Sequence, residues 1–262
     1  MSSASVPTIR LANAVEVGNF VARKIASAIA ESDSNPVVLG FPSGRTPRPT
    51  IAALALIASE ENLDLSRVHI LLMDDYVWEI SPGKFENVAE TEHFSCRKFA
   101  KDELLTVINS GLEDSKRIRE SNLHAPDAAN PLAYENLINE LGGIDIFILA
   151  SGTSDGHVAF NGPGASRNSL TSVMKLAEKT RTDNLLTFPE FKSIDEVPSF
   201  GVSVGISTIA DKSRLAIMIL TSAEKQEAFR TINAATKYDP NWPATVVVEC
   251  QEGLIVVDEL AG

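Results

Sequence analysis

The run Ile144 to Ala150, with the loop that follows it to Ser166, sets the terms for the rest of the chain. IDIFILA is too short for an ordinary helix and rich in β-branched and aromatic side chains, so it is expected to be a buried strand. A polar loop follows at once, and in it Asp155, Gly156 and His157 set a carboxylate and an imidazole beside a residue that tolerates any backbone angle. In open α/β sheets, ligands bind beyond the carboxyl ends of such strands.

Composition decides how large a structure can surround this stretch. With 262 residues, 44% of them hydrophobic, the chain can bury a substantial core, and a single domain spanning residues 1–262 is expected. A net charge of -12 disfavours nucleic acid and anionic membrane surfaces as partners. An anionic small substrate would therefore need a local cluster of donors. The two cysteines, Cys96 and Cys250, are too few for a disulfide framework, and no paired-cysteine metal spacing exists; neither a metal nor a cofactor is expected. A reducing, cytoplasmic setting follows from that cysteine usage, and a soluble, unexported protein is expected because the first residues lack a charged segment leading into an apolar one and no apolar run approaches membrane-spanning length.

Read in order, Val15, Phe20, Val21, Ile25, Ala28 and Ile29 recur at helical spacing and predict an amphipathic helix over Ala14 to Glu31, ended by Ser32-Asp33-Ser34-Asn35-Pro36. Val37 to Phe41 is a short buried strand, and Pro42-Ser43-Gly44-Arg45-Thr46-Pro47 feeds the helix carrying Ile51 to Ile57; free N–H groups and the positive helix end make that corner a good anion site. A third apolar stretch, Val68 to Met73, ends in Asp74-Asp75-Tyr76, where two adjacent acids are costly if buried. Glu86 to Leu105 reads as mostly helical, Asn130 to Leu141 as a helix and Ser172 to Leu176 as a strand. Glu178 to Pro198 is a polar connection whose order the sequence leaves open. Leu215 to Leu220 is a further strand leading through Thr221-Ser222-Ala223-Glu224-Lys225 into a helix, and Ala244 to Val248 and Leu254 to Val257 close the series as strands. Strands alternating with helices imply a single-domain, three-layer α/β fold: a doubly wound, mostly parallel sheet with helices on both faces.

Parallel strands joined by right-handed crossovers present their carboxyl ends along one edge. Four such ends carry the polar residues of interest. Ser43, Gly44, Thr46 and Lys225 suit a phosphate, and Asp74, Asp155 and His157 suit proton transfer.

Four segments, Phe41 to Pro47, Met73 to Tyr76, Asp155 to Asn161 and Gly201 to Ile206, resemble in order and spacing the signatures of glucosamine-6-phosphate deaminases, within the deaminase and 6-phosphogluconolactonase superfamily. The run Ala159-Phe160-Asn161 is similar to the deaminases rather than the lactonases. The resemblance implies metal-free chemistry on a sugar phosphate: the aldose ring opens, the C2 proton moves through an enediol to C1, and ammonia leaves. It makes Asp74 the base at C2, His157 the group that opens the ring and Asp155 its orienting partner. Asp75 would be a further orienting acid, and Ser43, Gly44, Thr46 and Lys225 would hold the phosphate. A homo-oligomer is compatible with this reading.

The departures are informative. Gly162 stands where the deaminases carry a glutamate completing the relay to the histidine, so ring opening is expected to be slower, to be served by Asp155 alone or Glu79, or not to occur. Leu186 falls where the family has a phosphate-binding arginine, and Arg45 stands where the family has a small residue, so Arg45 is expected to compensate. Ser172 falls near the basic residue of allosterically regulated members, so no activation by an amino-sugar phosphate is expected. Two alternatives accompany the deaminase: a 6-phosphogluconolactonase-like hydrolase, in which His157 activates water, and a sugar-phosphate-binding regulator that has lost turnover. Among the remaining residues, Cys96 and Cys250 read as apolar fillers, His69, His93 and His124 as structural or solvated, and Trp78 as a packing anchor near enough to the acids to wall the cleft.

Overall fold

Asn13 opens the first long helix by accepting the N–H groups of Val15 and Glu16 on its side chain at 3.0 and 3.1 Å. The structure, a computed structural model, describes residues 6–32 and 35–262; residues 1–5 and Asp33-Ser34, on which the readings of the chain start and of the helix stop partly rest, lie outside the described residues. That helix, α1 (Ala14–Glu31), follows β1 (Thr8–Leu11) and leads to β2 (Val37–Phe41), α2 (Arg48–Glu60) and β3 (Val68–Leu72). Beyond Met73 the chain enters β4 (Asp74–Ser81) and β5 (Lys84–Asn87), then α3 (Cys96–Phe99), a π-helical turn at Ala100–Leu105 and α4 (Thr106–Ile108). After β6 (Leu123–His124) come α5 (Pro131–Glu140), β7 (Ile144–Ala150), β8 (Ser172–Lys175), α6 (Glu178–Thr187), β9 (Phe200–Ser203), α7 (Ile206–Lys212), β10 (Ser213–Leu220), α8 (Gln226–Ala234) and β11 (Glu252–Asp258).

Seven strands form one sheet in the order β1-β11-β10-β7-β2-β3-β6, with every neighbouring pair parallel. A parallel sheet must be covered on both faces, and the alternation along its strands shows that it is. Leu39, Phe41, Ile146, Ile148, Ile217, Ile219 and Val256 join one apolar cluster with Val21 and Ile25 of α1 and Ile51 and Leu54 of α2. Their neighbours Val38, Phe147, Leu149, Met218 and Ile255 join another with Ile138 of α5, Ile209 of α7 and Phe229 of α8. The expected three-layer α/β architecture is therefore present.

A second, antiparallel sheet, β5-β4-β9-β8, was not foreseen as a separate unit. Of its strands β5 and β8 are short and largely unburied, β9 has only four residues and the second half of β4 is exposed, so they lack the long apolar runs by which the buried strands announce themselves. The strand expected from Ser172 belongs here, and the segment expected to be helical from Glu86 begins as the end of β5, helix starting only at Cys96. The segment Ala244 to Val248, expected as a strand, is instead part of a 3-10 helix, Pro243–Glu249. A short buried apolar run cannot be assigned to strand or helix by pattern alone, and a proline at the start favours the helical turn. The polar connection after Glu178 is ordered as α6.

Candidate active site

The strands β10, β7, β2 and β3 are adjacent in the sheet, so their carboxyl ends release four loops side by side. Between β2 and β7 the chain reverses its direction of winding, the position at which open α/β sheets form a crevice. A cleft of about 540 Å³ lies there, and Ser43, Gly44, Arg45, Thr46, Asp74, His157 and Lys225 all line it. The residues singled out at four distant points in the sequence are thus brought together. Asp155 and Asp75 stand behind the lining.

His157 is fixed from behind. Its Nδ1 lies 2.8 Å from Asp155 Oδ1, its backbone N–H donates to the same oxygen at 3.2 Å, and Thr180 reaches Asp155 Oδ2 at 3.4 Å. Burial works to raise the Asp155 carboxyl, but the hydrogen bond and charge of His157, with Thr180, overcome it and pull it down to about 2. An ionised Asp155 can only accept, so Nδ1 carries the proton in this pair and Nε2 is the nitrogen left for the cleft. The pair needs a bare backbone opposite it. A Cβ on Gly152 would lie 2.3 Å from both Asp155 Oδ1 and His157 Nδ1. Gly156, at φ +61, turns the loop in the left-handed region, and the indole of Trp242 occupies the space where its side chain would be.

Asp74 and Asp75 begin β4 and alternate sides, as strand residues do. Asp74, 6% exposed, meets the cleft and lies 3.5 Å from the Cys96 thiol. Burial raises its carboxyl to about 7, with Cys96 and His157 pulling down and Asp75 pushing up. Asp75, fully buried, accepts N–H groups from Tyr76 and Cys96 at 3.0 Å each and the Arg97 guanidinium at 2.7 Å. It ties α3 to the second sheet.

At the anion end, the Ser43–Thr46 corner lies ahead of α2, whose cap position is Pro47 with no side-chain hydrogen bond; Thr46 does not cap the helix and its hydroxyl is left to the cleft. Arg45 is exposed on the cleft rim and makes no ion pair among the described residues. Lys225 Nζ donates to Ser151 O at 2.7 Å and Thr153 Oγ1 at 2.9 Å. Burial lowers its ammonium, Asp183 and Glu224 support it, and Arg45 opposes it. The turn before it is strained: Ser222 has φ +78 and ψ 156, held by two contacts from its N–H to the buried Asp258 carboxylate at 3.0 and 3.1 Å.

Sequence reasoning missed the wall built by α6. Lys179, Thr180, Asp183, Asn184 and Thr187 line the cleft at helical spacing, and Asn184 Nδ2 is buried without a partner among the described residues. The polar face of a helix with few apolar residues gives no core signal, and Leu186, the expected site of a lost phosphate contact, lies in this helix with its side chain outside the described residues. Three expectations are corrected. Glu79 is exposed, binds the Gly83 N–H and does not line the cleft, so it cannot replace the relay carboxylate. Trp78 packs edge-on against Phe94 away from the cleft. Cys96 is more than an apolar filler: it packs in the core and also contacts both Ser43 and Asp74. At Gly162 a Cβ would find only Ala177, at 3.8 Å, and no group of three metal-ligating side chains occurs among the described residues.

Comparisons with known proteins follow the same lines. The sequence model of the family described as glucosamine-6-phosphate isomerases/6-phosphogluconolactonase matches residues 11–256. The chain is 30% identical over 259 residues to a glucosamine-6-phosphate deaminase of Shouchella clausii (strain KSM-K16), covering 95% of this chain and 96% of that one. It is 32% identical over 245 residues to glucosamine-6-phosphate deaminase 2 of Giardia intestinalis, covering 93% and 86%. Among solved structures, a monomeric glucosamine-6-phosphate deaminase superposes with a TM-score of 0.82 at 26% identity over 98% of both chains. A 6-phosphogluconolactonase from Shewanella baltica OS155 shares the fold, with a TM-score of 0.68 at 16% identity over 98% of both.

Proposed function

Because this chain belongs to the family of glucosamine-6-phosphate isomerases and 6-phosphogluconolactonases, we propose that it is an amino-sugar-phosphate deaminase, converting glucosamine 6-phosphate and water to fructose 6-phosphate and ammonia. The observation that carries this reading is that Asp74 and the Asp155-supported His157 face one cleft whose other end is the Ser43–Thr46 corner and Lys225. In this reading the phosphate accepts from the loop N–H groups, the Ser43 and Thr46 hydroxyls, Arg45 and Lys225. His157 Nε2 exchanges the proton that opens the ring, and Asp155 stabilises the imidazolium formed. Asp74, with a carboxyl near neutrality, takes the C2 proton to give an enolamine; returning that proton to C1 leaves an imine at C2, and water adds there and supplies the ketone oxygen as ammonia leaves.

A 6-phosphogluconolactonase-like hydrolysis is the second reading, favoured by Gly162, where the relay carboxylate is lacking. Ammonia released from glucosamine 6-phosphate by the wild type and lost in Asp74→Asn is the result expected of the deaminase. Hydrolysis of 6-phosphogluconolactone with amino sugars untouched would replace the first reading by the second. Tight sugar-phosphate binding with no turnover of either would identify a regulator. The reading includes a cytoplasmic enzyme working without a metal; no described helix is long and apolar enough to cross a membrane.

A further inference from the structure

We propose that Cys96 is a positioning residue for the base: its thiol donates to Asp74 and accepts from Ser43, joining the anion corner and the proton-abstracting carboxylate in one hydrogen-bonded chain. This rests on the role proposed above for Asp74. The geometry is continuous, with Ser43 Oγ 3.2 Å from Cys96 Sγ and Sγ 3.5 Å from Asp74 Oδ1, and the thiol residue is 2% exposed.

A thiol has one proton and an ionised carboxylate has none, which fixes the direction of the chain. When Asp74 is ionised, the S–H must point at Oδ1 and the Ser43 hydroxyl must donate to sulfur. When Asp74 has taken a proton, the same three groups can reverse. The sulfur is well suited to remain a donor. Burial first, then the neighbouring Asp74 and Asp75 carboxyls, push the thiol well above its ordinary range, so it does not compete for the negative charge.

Its place is set by backbone as well as by packing in the core. The Cys96 N–H donates to Asp75 Oδ1, Asp75 is clamped by Arg97, and Arg97 also donates to Val88 O. Asp75 therefore acts on Asp74 at second hand by holding the first residue of α3. The other groups bearing on Asp74 are Asp75 and Tyr76 of β4, Tyr134 of α5 and His157 of the β7 loop. Of these, Asp75 disfavours the ionised carboxylate and His157 favours it. Cys96 supplies the hydrogen bond that favours ionisation.

The test compares wild type with Cys96→Val, which replaces the thiol by a methyl, adds one further methyl and loses the donor, and Cys96→Ser, which keeps a donor. The Asp74 carboxyl is titrated by side-chain 13C NMR in substrate-free protein, with its resonance assigned through Asp74→Asn. The midpoint is expected to rise by about half a pH unit or more in Cys96→Val and to return toward wild type in Cys96→Ser. The acid limb of kcat/KM for ammonia release should move with it, lowering activity about threefold or more below the midpoint while the high-pH plateau is kept. Coincident titrations for wild type and Cys96→Val would overturn the proposal. If Cys96→Val does not fold, Cys96→Ala gives the same comparison. A wild type that releases no ammonia would sink the proposed function, and the NMR midpoints would still decide the role of the thiol.

Discussion

At the scale of single residues, Asp74, the proposed base, is costly to ionise because it is buried. Raising a carboxyl from 3.8 to about 7 makes ionisation unfavourable to the folded state by up to about 4 kcal/mol. The sign follows from proton binding: between these values the folded chain holds a proton that the unfolded chain has released, so stability falls as pH rises through that window. Asp74→Asn is therefore expected to be more stable than wild type at pH 8 by about 1–3 kcal/mol, and to melt at a higher temperature there, with the difference closing toward pH 4. Equal melting curves at pH 8 would show that the carboxylate is better solvated than its burial indicates. The same ionisation predicts that kcat/KM climbs with pH through about 7. Arg45 is the complementary case, an exposed cation whose value lies in what it meets. Arg45→Ala should raise KM for the phosphorylated substrate about tenfold or more and leave kcat nearly unchanged. An unaltered KM would remove it from the phosphate grip.

At the scale of elements, the cleft depends on corners rather than on regular structure. The turn from β10 into Lys225 is held in a region of backbone space that serine rarely enters, by Asp258 at the end of β11. Two strands thereby cooperate to aim one ammonium at Ser151 and Thr153. Ser222→Gly should relieve the strain and stabilise the protein by about 1 kcal/mol, measured by denaturant unfolding. A destabilised variant would mean that the serine hydroxyl, rather than the backbone, matters there. The helix α6 shows a different economy: its Thr180 supports Asp155, and the rest of its inner face stays polar for the cleft.

At the scale of the whole molecule, two electrostatic effects of opposite sign meet a sugar phosphate. The net charge of -12 repels it from a distance, while Arg45, Lys179 and Lys225, which line the cleft, attract it at contact in the reading proposed above. Screening over about 8 Å at physiological salt weakens the distant repulsion first, yet the larger energy is that of charges within a few ångströms in a partly buried cleft. Local attraction should win. Raising salt from about 50 to about 300 mM is expected to increase KM for the phosphorylated substrate several-fold with kcat unchanged. A KM that falls instead would assign control to the global charge.

Along the chain, local pattern determined what local forces dictate. The helix Ala14–Glu31 and the strand Val37–Phe41 could be read to the residue because their periodicity and their polar or proline-bearing ends agree, and the parallel topology followed from the alternation of such elements. Candidate residues at four strand ends were legible for the same reason, since parallel strands must end on one edge. The second sheet, the α6 wall, the retreat of Asp75 to Arg97 and the contact of Cys96 with Ser43 and Asp74 were decided only by tertiary structure. Apart from the local β4–β5 pairing, these depend on partners between 21 and more than 100 residues away, and no periodicity records which side chain will lie opposite another once both are buried.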